Sequence, residues 1–236
     1  MKKISYLLLC IFFILLLIII IHIVNIKQIN MLYISKMIDI NNKTNNYSIE
    51  ELKEEYNNDN IIGILSLDNT SFTSIIVQYT DNEYYQDHNI FNKKDWRGQT
   101  FLDYRNDINT SKKLIIYGHN SNYYDLPFKI FENYYSDFYY QEHKYIYIKT
   151  DTKIYKYLIF SVYVEVSDFE YYNTVVFNNS LDYYNHILSL KNKSLYDTGV
   201  SIDINDNILI IQTCSTKEEY SSYEDKFLLI IAKEVS

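Results

Sequence analysis

Apolar residues follow three regimes along the chain. From Ile4 to Val24 they are almost continuous, broken only by Ser5, Cys10 and His22, with ILLLIIII at 14–21 as the centre. From residue 28 they recur at helical spacing, and beyond Ile61 they gather into short runs divided by polar clusters. A helix over 4–24 rises about 1.5 Å per residue and spans roughly 30 Å, the thickness of a hydrocarbon core. Ile29, Leu32, Tyr33, Met37 and Ile40 predict a second helical stretch, interrupted by the polar cluster 41–46. Ser48 with Glu51 three residues on reads as a capping box that opens a helix through about Tyr56.

After Ile61 the pattern turns to β. Ile61–Leu67, Phe72–Tyr79, Leu114–Tyr117, Tyr145–Lys149, Ile154–Val166, Ile208–Thr213 and Phe227–Ala232 read as strands. In the longest of them, Leu158, Phe160, Val162, Val164 and Val166 are expected on one face, with Lys156, Ser161 and Glu165 on or near the other. Helical patches fall near 127–140 and over 180–191, where Leu181, Tyr184 and Leu188 recur. Many short strands with few helices between them predict a mostly antiparallel barrel or sandwich. The organisation is a tail over 1–3, a membrane span over 4–24, a helical extension over 25–60 and a β-rich domain over 61–236.

Charge sets the topology. Lys2 and Lys3 precede the apolar run, so the positive-inside tendency leaves the N-terminus in the cytoplasm and the rest outside. A cleaved signal peptide would have an apolar core of about 7–15 residues ending in small ones. Here the run ends in His22-Ile23-Val24-Asn25-Ile26-Lys27, without an A-x-A-like site, and reads as an uncleaved signal anchor. The formal charge is −8, and removing the two lysines of residues 1–24 leaves −10 on the remainder. Nucleic-acid affinity comes largely from Lys and Arg neutralising phosphates, and the only arginines are Arg97 and Arg105, so no nucleic-acid partner is expected. One Pro and four Gly in 236 residues exclude collagen-like and Pro-rich classes. The 27 tyrosines fit a compositional bias as well as any function.

Cys10 lies in the apolar run, which leaves Cys214 as the only thiol of the exported body. It ends an apolar strand and opens the polar loop Ser215-Thr216-Lys217-Glu218-Glu219. A thiol there is either an inert residue closing a strand or a nucleophile at the rim of a sheet. His119, after Ile115-Ile116-Tyr117-Gly118, is either a surface-loop histidine or an imidazole projecting from another strand end. His22 is in the apolar run, and His88, His143 and His186 have no partner motif. No His-x-x-x-His, Cys-x-x-Cys or carboxylate cluster has metal-ligand spacing, so no zinc site is expected.

Asp81-Asn82-Glu83-Tyr84-Tyr85 through His88-Asn89, Thr100-Phe101-Leu102-Asp103-Tyr104-Arg105-Asn106, Tyr117-Gly118-His119-Asn120 and Thr213-Cys214 occur in that order. The sequence in this respect resembles the class B sortases, membrane-anchored cysteine transpeptidases of Gram-positive bacteria, from about residue 28 to the C-terminus. The resemblance implies a closed β-barrel over 61–236 with N-terminal helices and a helix before the cysteine strand. It makes Cys214 the nucleophile and His119 the general acid/base, with Thr213 and Asn120 as candidate substrate-binding residues. The implied partners are sorting-signal peptides of exported proteins, a peptidoglycan amine and the membrane, crossed once. No cofactor is implied, and no calcium site is expected because no acidic loop is evident.

One position departs from the family. A sortase is expected to carry an arginine on the strand after the cysteine, and Lys226 stands there. Lysine keeps the charge and loses the planar fork. Three readings follow: Lys226 substitutes for the arginine, Arg97 or Arg105 reaches in, or the chain is a weakened sortase-fold module that binds at the cell surface. A thiol hydrolase using water in place of the amine is a further alternative. Gln212, before Thr-Cys, departs in a smaller way from the residue such as Ser found in the family.

Overall fold

The computed structural model describes residues 2–235. Met1, in the expected cytoplasmic tail, and Ser236, last of the expected catalytic domain, lie outside the described residues. The chain separates into two units, one ending at Lys43 and the other beginning at Thr44. The first is helical, within α1 (Lys2–Asn46), and its stretch Leu9–Gln28 is long and apolar enough to cross a membrane. The helix does not break at 41–46 as the polar cluster predicts. That cluster contains neither Gly nor Pro, asparagine costs a helix only about 0.7 kcal/mol or less per residue, and Lys43 pairs with Asp39 one turn back at 3.1 Å.

In the second unit, α2 (Ile49–Tyr56) has the expected capping box: Glu51 N–H donates to Ser48 Oγ at 3.2 Å and Ser48 N–H donates to Glu51 Oε2 at 2.7 Å. Asn57 closes it in the left-handed conformation at φ 47°. Among the described residues eight strands follow: β1 (Ile61–Leu67), β2 (Thr73–Val77), β3 (Phe101–Leu102), β4 (Lys113–Tyr117), β5 (Tyr145–Lys149), β6 (Ile154–Glu165), β7 (Ile208–Cys214) and β8 (Phe227–Val235). They close into a barrel in the order β1-β2-β3-β4-β7-β8-β6-β5, with β5 returning to β1. Most pairs are antiparallel, but β2–β3 and β4–β7 are parallel. The β4–β7 pair matters most here, because parallel strands end at the same rim.

Side chains fill the barrel. Leu65, Ile76, Leu102, Ile116, Ile148, Leu209, Ile211 and Ile230 meet in its interior. Phe128, Phe131 and Tyr134 join them from a 3₁₀ stretch over Pro127–Tyr135. Each buried side chain of this size is worth about 1.5–3 kcal/mol as an upper estimate. The helical patch expected near 127–140 is therefore two pieces, because Ser136 is extended between the 3₁₀ stretch and α3 (Asp137–Glu142).

Two faces differ from the sequence pattern. β6 has a bulge between Ile159 and Ser161, so Tyr155, Tyr157 and Ile159 point inward before it and Val162 after it. Leu158 and Phe160 do not share a face with Val162, since the extra residue shifts the period by one. The bulge also turns Ser161 toward α5 (Ser180–Asn192), where its hydroxyl donates to Leu190 O at 2.7 Å. α5 buries Tyr183, His186, Ile187 and Leu190, whereas Leu181 is exposed. A short helix, α4 (Glu170–Asn173), precedes it.

Candidate active site

The site is built on the β4–β7 rim. Tyr117 pairs with Gln212 in the parallel ladder, and Gly118 N–H donates to Gln212 O at 3.2 Å. Carrying that register on by two residues brings His119 level with Cys214. Two side chains bind the strand ends together: Thr213 Oγ1 donates to Gly118 O at 2.8 Å, and Asn120 Nδ2 donates to Cys214 O at 3.0 Å. Both residues are buried, and both direct these polar atoms at backbone. Gly118 is required by packing, since a Cβ there would sit 2.5 Å from the Phe128 ring.

Cys214 is exposed at the end of β7. Desolvation by the surrounding protein raises its thiol above the ordinary value, the Asp225 carboxylate adds to this, and the Lys226 charge opposes both. Such a thiol is protonated at neutral pH and needs a base to become a nucleophile. His119 is half-buried, and its Nε2 lies 2.8 Å from Gln86 O. A carbonyl only accepts, so Nε2 carries a proton and Nδ1 is the nitrogen left to exchange one.

Lys226 immediately precedes β8. Its carbonyl accepts Ser215 N–H at 2.9 Å, while Cys214 pairs with Phe227 one residue on. Its Nζ donates to Tyr223 O at 3.1 Å. The two arginines are each forked onto an aspartate two residues back. Arg97 donates through Nε and Nη2 to Asp95 at 2.7 and 2.8 Å, and Arg105 does the same to Asp103 at 2.8 and 2.7 Å. Asp103 is fully buried and also accepts Tyr117 O–H at 2.6 Å and Asn82 Nδ2 at 3.0 Å. Desolvation would raise its carboxyl, but these partners together hold it below the usual carboxylate range. Of the three cations, Lys226 is the one whose charge reaches the thiol.

A groove of about 390 Å³ runs beside the cysteine strand. Phe101, Tyr117, Phe169, Tyr171, Tyr172 and Phe227 give it aromatic walls, and Asn82, Gln86, Asn173, Gln212 and Asp225 give it polar points. Tyr171 O–H donates to Gln212 Oε1 at 2.7 Å, so the glutamine before Thr-Cys has a partner in the wall. The Arg105 guanidinium carbon lies 4.4 Å from the centre of the Tyr172 ring. A second hollow lies beside His119, lined by Asp81, Glu83, Tyr84, Gln86 and Asp87. Among the described residues, no group of three or more His, Cys, Asp or Glu side chains is arranged to hold a metal ion.

Sequence reasoning singled out Cys214, His119, Lys226, Thr213 and Asn120. It missed the wall, meaning Phe169, Tyr171, Tyr172 and the carboxylate of Asp225. Tyrosine abundance hid Tyr171 and Tyr172, because 27 tyrosines leave no single one conspicuous. Gln86, whose carbonyl fixes His119, contributes only backbone to that bond and has no side-chain signal.

Comparison with known proteins bears on the family and the fold. Residues 65–235 match the family model of the sortase domain. Sortase B of Listeria monocytogenes is 31% identical over 164 residues, covering 69% of this chain and 66%, just under two thirds, of that protein. The structure of Clostridium perfringens sortase B superposes with a TM-score of 0.71 at 27% identity, covering 80% of this chain and all of that one. A Staphylococcus aureus sortase B–substrate complex shares the fold with a TM-score of 0.71 at 24% identity, covering 89% of this chain and 96% of the other.

Proposed function

We propose that this chain, which belongs to the sortase family and to its class B, is a membrane-anchored cysteine transpeptidase acting on exported proteins. Its substrate is a C-terminal sorting signal, and its acyl acceptor is an amine of the peptidoglycan or its lipid-linked precursor. Residues 4–24 anchor it, with residues 1–3 in the cytoplasm and the catalytic domain outside. The charge asymmetry of Lys2 and Lys3 and the apolar stretch Leu9–Gln28 support that orientation.

Cys214 is the nucleophile. His119 takes the thiol proton at Nδ1, and the sulfur attacks the scissile carbonyl carbon. As the C–S bond forms, the C–N bond breaks, and His119 returns the proton to the departing amine, leaving a thioester. The acceptor amine then attacks that carbonyl, loses its proton to His119 and expels the Cys214 sulfur, which regains the proton. Splitting one amide exchange into two easier displacements is the gain from covalent catalysis. Lys226 supplies positive charge near the developing oxyanion, where one donor is typically worth about 100–1,000-fold in rate. Thr213 and Asn120 serve by fixing the two strand ends.

The observation that supports this reading is the common rim of β4 and β7, where the strand ending in the exposed Cys214 and the strand leading to His119 are joined by Asn120 bonding the Cys214 carbonyl, next to a groove that Gln212 helps to line. The test is product analysis. The full chain in detergent is incubated with a library of sorting-motif peptides and a short amine nucleophile, and products are read by mass spectrometry. A ligated peptide–amine product that requires Cys214 supports the reading. Hydrolysis alone, unaffected by added amine, supports a thiol hydrolase instead.

A further inference from the structure

A buried lysine holds the groove wall from beneath. Lys113, at the start of β4, is 6% exposed. Its Nζ donates to Tyr171 O at 2.8 Å and to Thr174 O, and lies 3.5 Å from His186 Nε2. An ammonium has three N–H donors, and three acceptors converge on this one. His186 is buried too, with Nδ1 3.3 Å from Glu170 Oε1, while Ser189 Oγ donates to Glu170 Oε2 at 3.0 Å. Desolvation, with the Lys113 charge second, depresses the imidazole to about 4, so it is neutral at physiological pH. Nε2 then accepts from Lys113 and Nδ1–H donates to Glu170, a single consistent tautomer.

The wall needs such support. Phe169 has φ 49°, in the left-handed region that a bulky aromatic rarely occupies. α4 is a single turn of four residues whose N-cap, Phe169, makes no side-chain bond, and its first N–H, of Glu170, donates to Asp168 Oδ1 at 3.0 Å. On its groove side, Tyr171 bonds Gln212, two residues before Cys214. Sequence gives no hint of this role, since Lys113 sits in a Ser-Lys-Lys run that reads as solvated.

We propose that Lys113 is a positioning residue for the peptide groove: its buried ammonium holds residues 169–174 in the conformation that receives the sorting signal, acting from the far end of the strand that leads to His119. The inference rests on reading the groove as the peptide site. Charge strengthens the clamp, because hydrogen bonds from an ionised donor are roughly twice as strong as neutral ones. Desolvation first and Arg105 second lower the lysine to about 8, with Asp103 and Glu170 opposing. Below that pH the ammonium binds both carbonyls, and above it the neutral amine binds them less tightly.

The test uses the full chain in detergent, with Lys113→Met and Glu170→Gln. Four quantities are read: KM and kcat for peptide ligation, the rate of Cys214 alkylation by iodoacetamide, and amide-exchange protection. Lys113→Met is expected to raise KM about tenfold, with kcat and alkylation within about twofold of wild type, the pattern of lost substrate binding. Protection should fall at 169–174 and hold across the β4–β7 ladder. Glu170→Gln should move KM in the same direction by less. Wild-type KM should rise as pH passes about 8, an inflection that Lys113→Met lacks. A folded Lys113→Met with wild-type KM and protection overturns the proposal, as does an equal loss of kcat and alkylation. Should Lys113→Met fail to fold, a wild-type KM flat from pH 7 to 9 overturns it. If wild type gives no ligation product yet the protection at 169–174 responds as described, the function reading fails and the clamp stands.

Discussion

Cys214 and His119 follow a floor of two parallel strands joined over five ladder partners, from Lys113↔Ile208 to Tyr117↔Gln212. The wall over the same groove, Phe169 to Thr174, belongs to no ladder. It is held by Lys113 donating to its carbonyls, by Tyr171 bonding Gln212 and by Arg105 stacked on Tyr172. A ladder fixes positions through repeated backbone bonds and tolerates side-chain change. A wall held by a few side chains can be altered one contact at a time. On the proposed mechanism the bond-making residues follow the rigid element, and the residues proposed to face the rest of the peptide stand on the adjustable one. Variants at the floor's rim, at Cys214 and His119, should therefore change kcat, and variants of the wall or of the Lys113 side chain that holds it should change KM.

The largest effect belongs to the floor. Cys214→Ala should abolish ligation, a loss of roughly 1,000-fold or more, while Cys10→Ala leaves it intact. Peptide turnover in detergent checks both, and comparable turnover by Cys214→Ala would assign the chemistry elsewhere. Next is Lys226→Ala, expected to lower kcat by about 100-fold with little change in melting temperature, whereas Lys226→Arg should hold or raise it. Full activity in Lys226→Ala, with loss in Arg105→Ala, would move the positive charge to the arginine.

Asp103 joins the two regions, since it accepts Tyr117 O–H from the floor and forks Arg105, which stacks on the wall. Asp103→Asn leaves Arg105 without its counter-charge and should cost about 3 kcal/mol of stability, read by denaturant melts. The sign of its pH dependence follows from its depressed carboxyl. The contribution is present above the ordinary aspartate range and is lost as pH falls through the lower folded value. Acid melts of wild type should therefore lose a component that Asp103→Asn lacks. The smallest effect is in the wall: Tyr171→Phe removes the donor to Gln212 Oε1 and should cost about 1 kcal/mol, appearing as a few-fold rise in KM at constant kcat.

How legible each region is follows from how it is built. The floor's ends are short contiguous strings, Tyr-Gly-His-Asn and Thr-Cys, because each strand delivers one candidate residue at or just beyond its end. The barrel was legible through the same alternation, except where β6 inserts a residue near Phe160 and reverses the faces beyond it. β3 escaped because two residues, Phe101 and Leu102, carry no period. The wall was not legible at all. Lys113, Glu170 and His186 are far apart in sequence, and burial alone turns a lysine and a histidine of ordinary appearance into a linked cluster. In α5 the apolar recurrence of Leu181 pointed to the wrong face, because the buried stripe includes the polar His186.

The central claim, that Cys214 carries the acyl group, is tested most directly by trapping the intermediate. The full chain is mixed with a cleavable sorting peptide without amine, quenched in acid and digested, and the fragment containing Cys214 is weighed. The account predicts a mass increase equal to the acyl portion of the peptide, located on Cys214 and discharged when amine is added before the quench. Peptide cleaved with Cys214 unmodified, or the acyl group found on another residue, would contradict it.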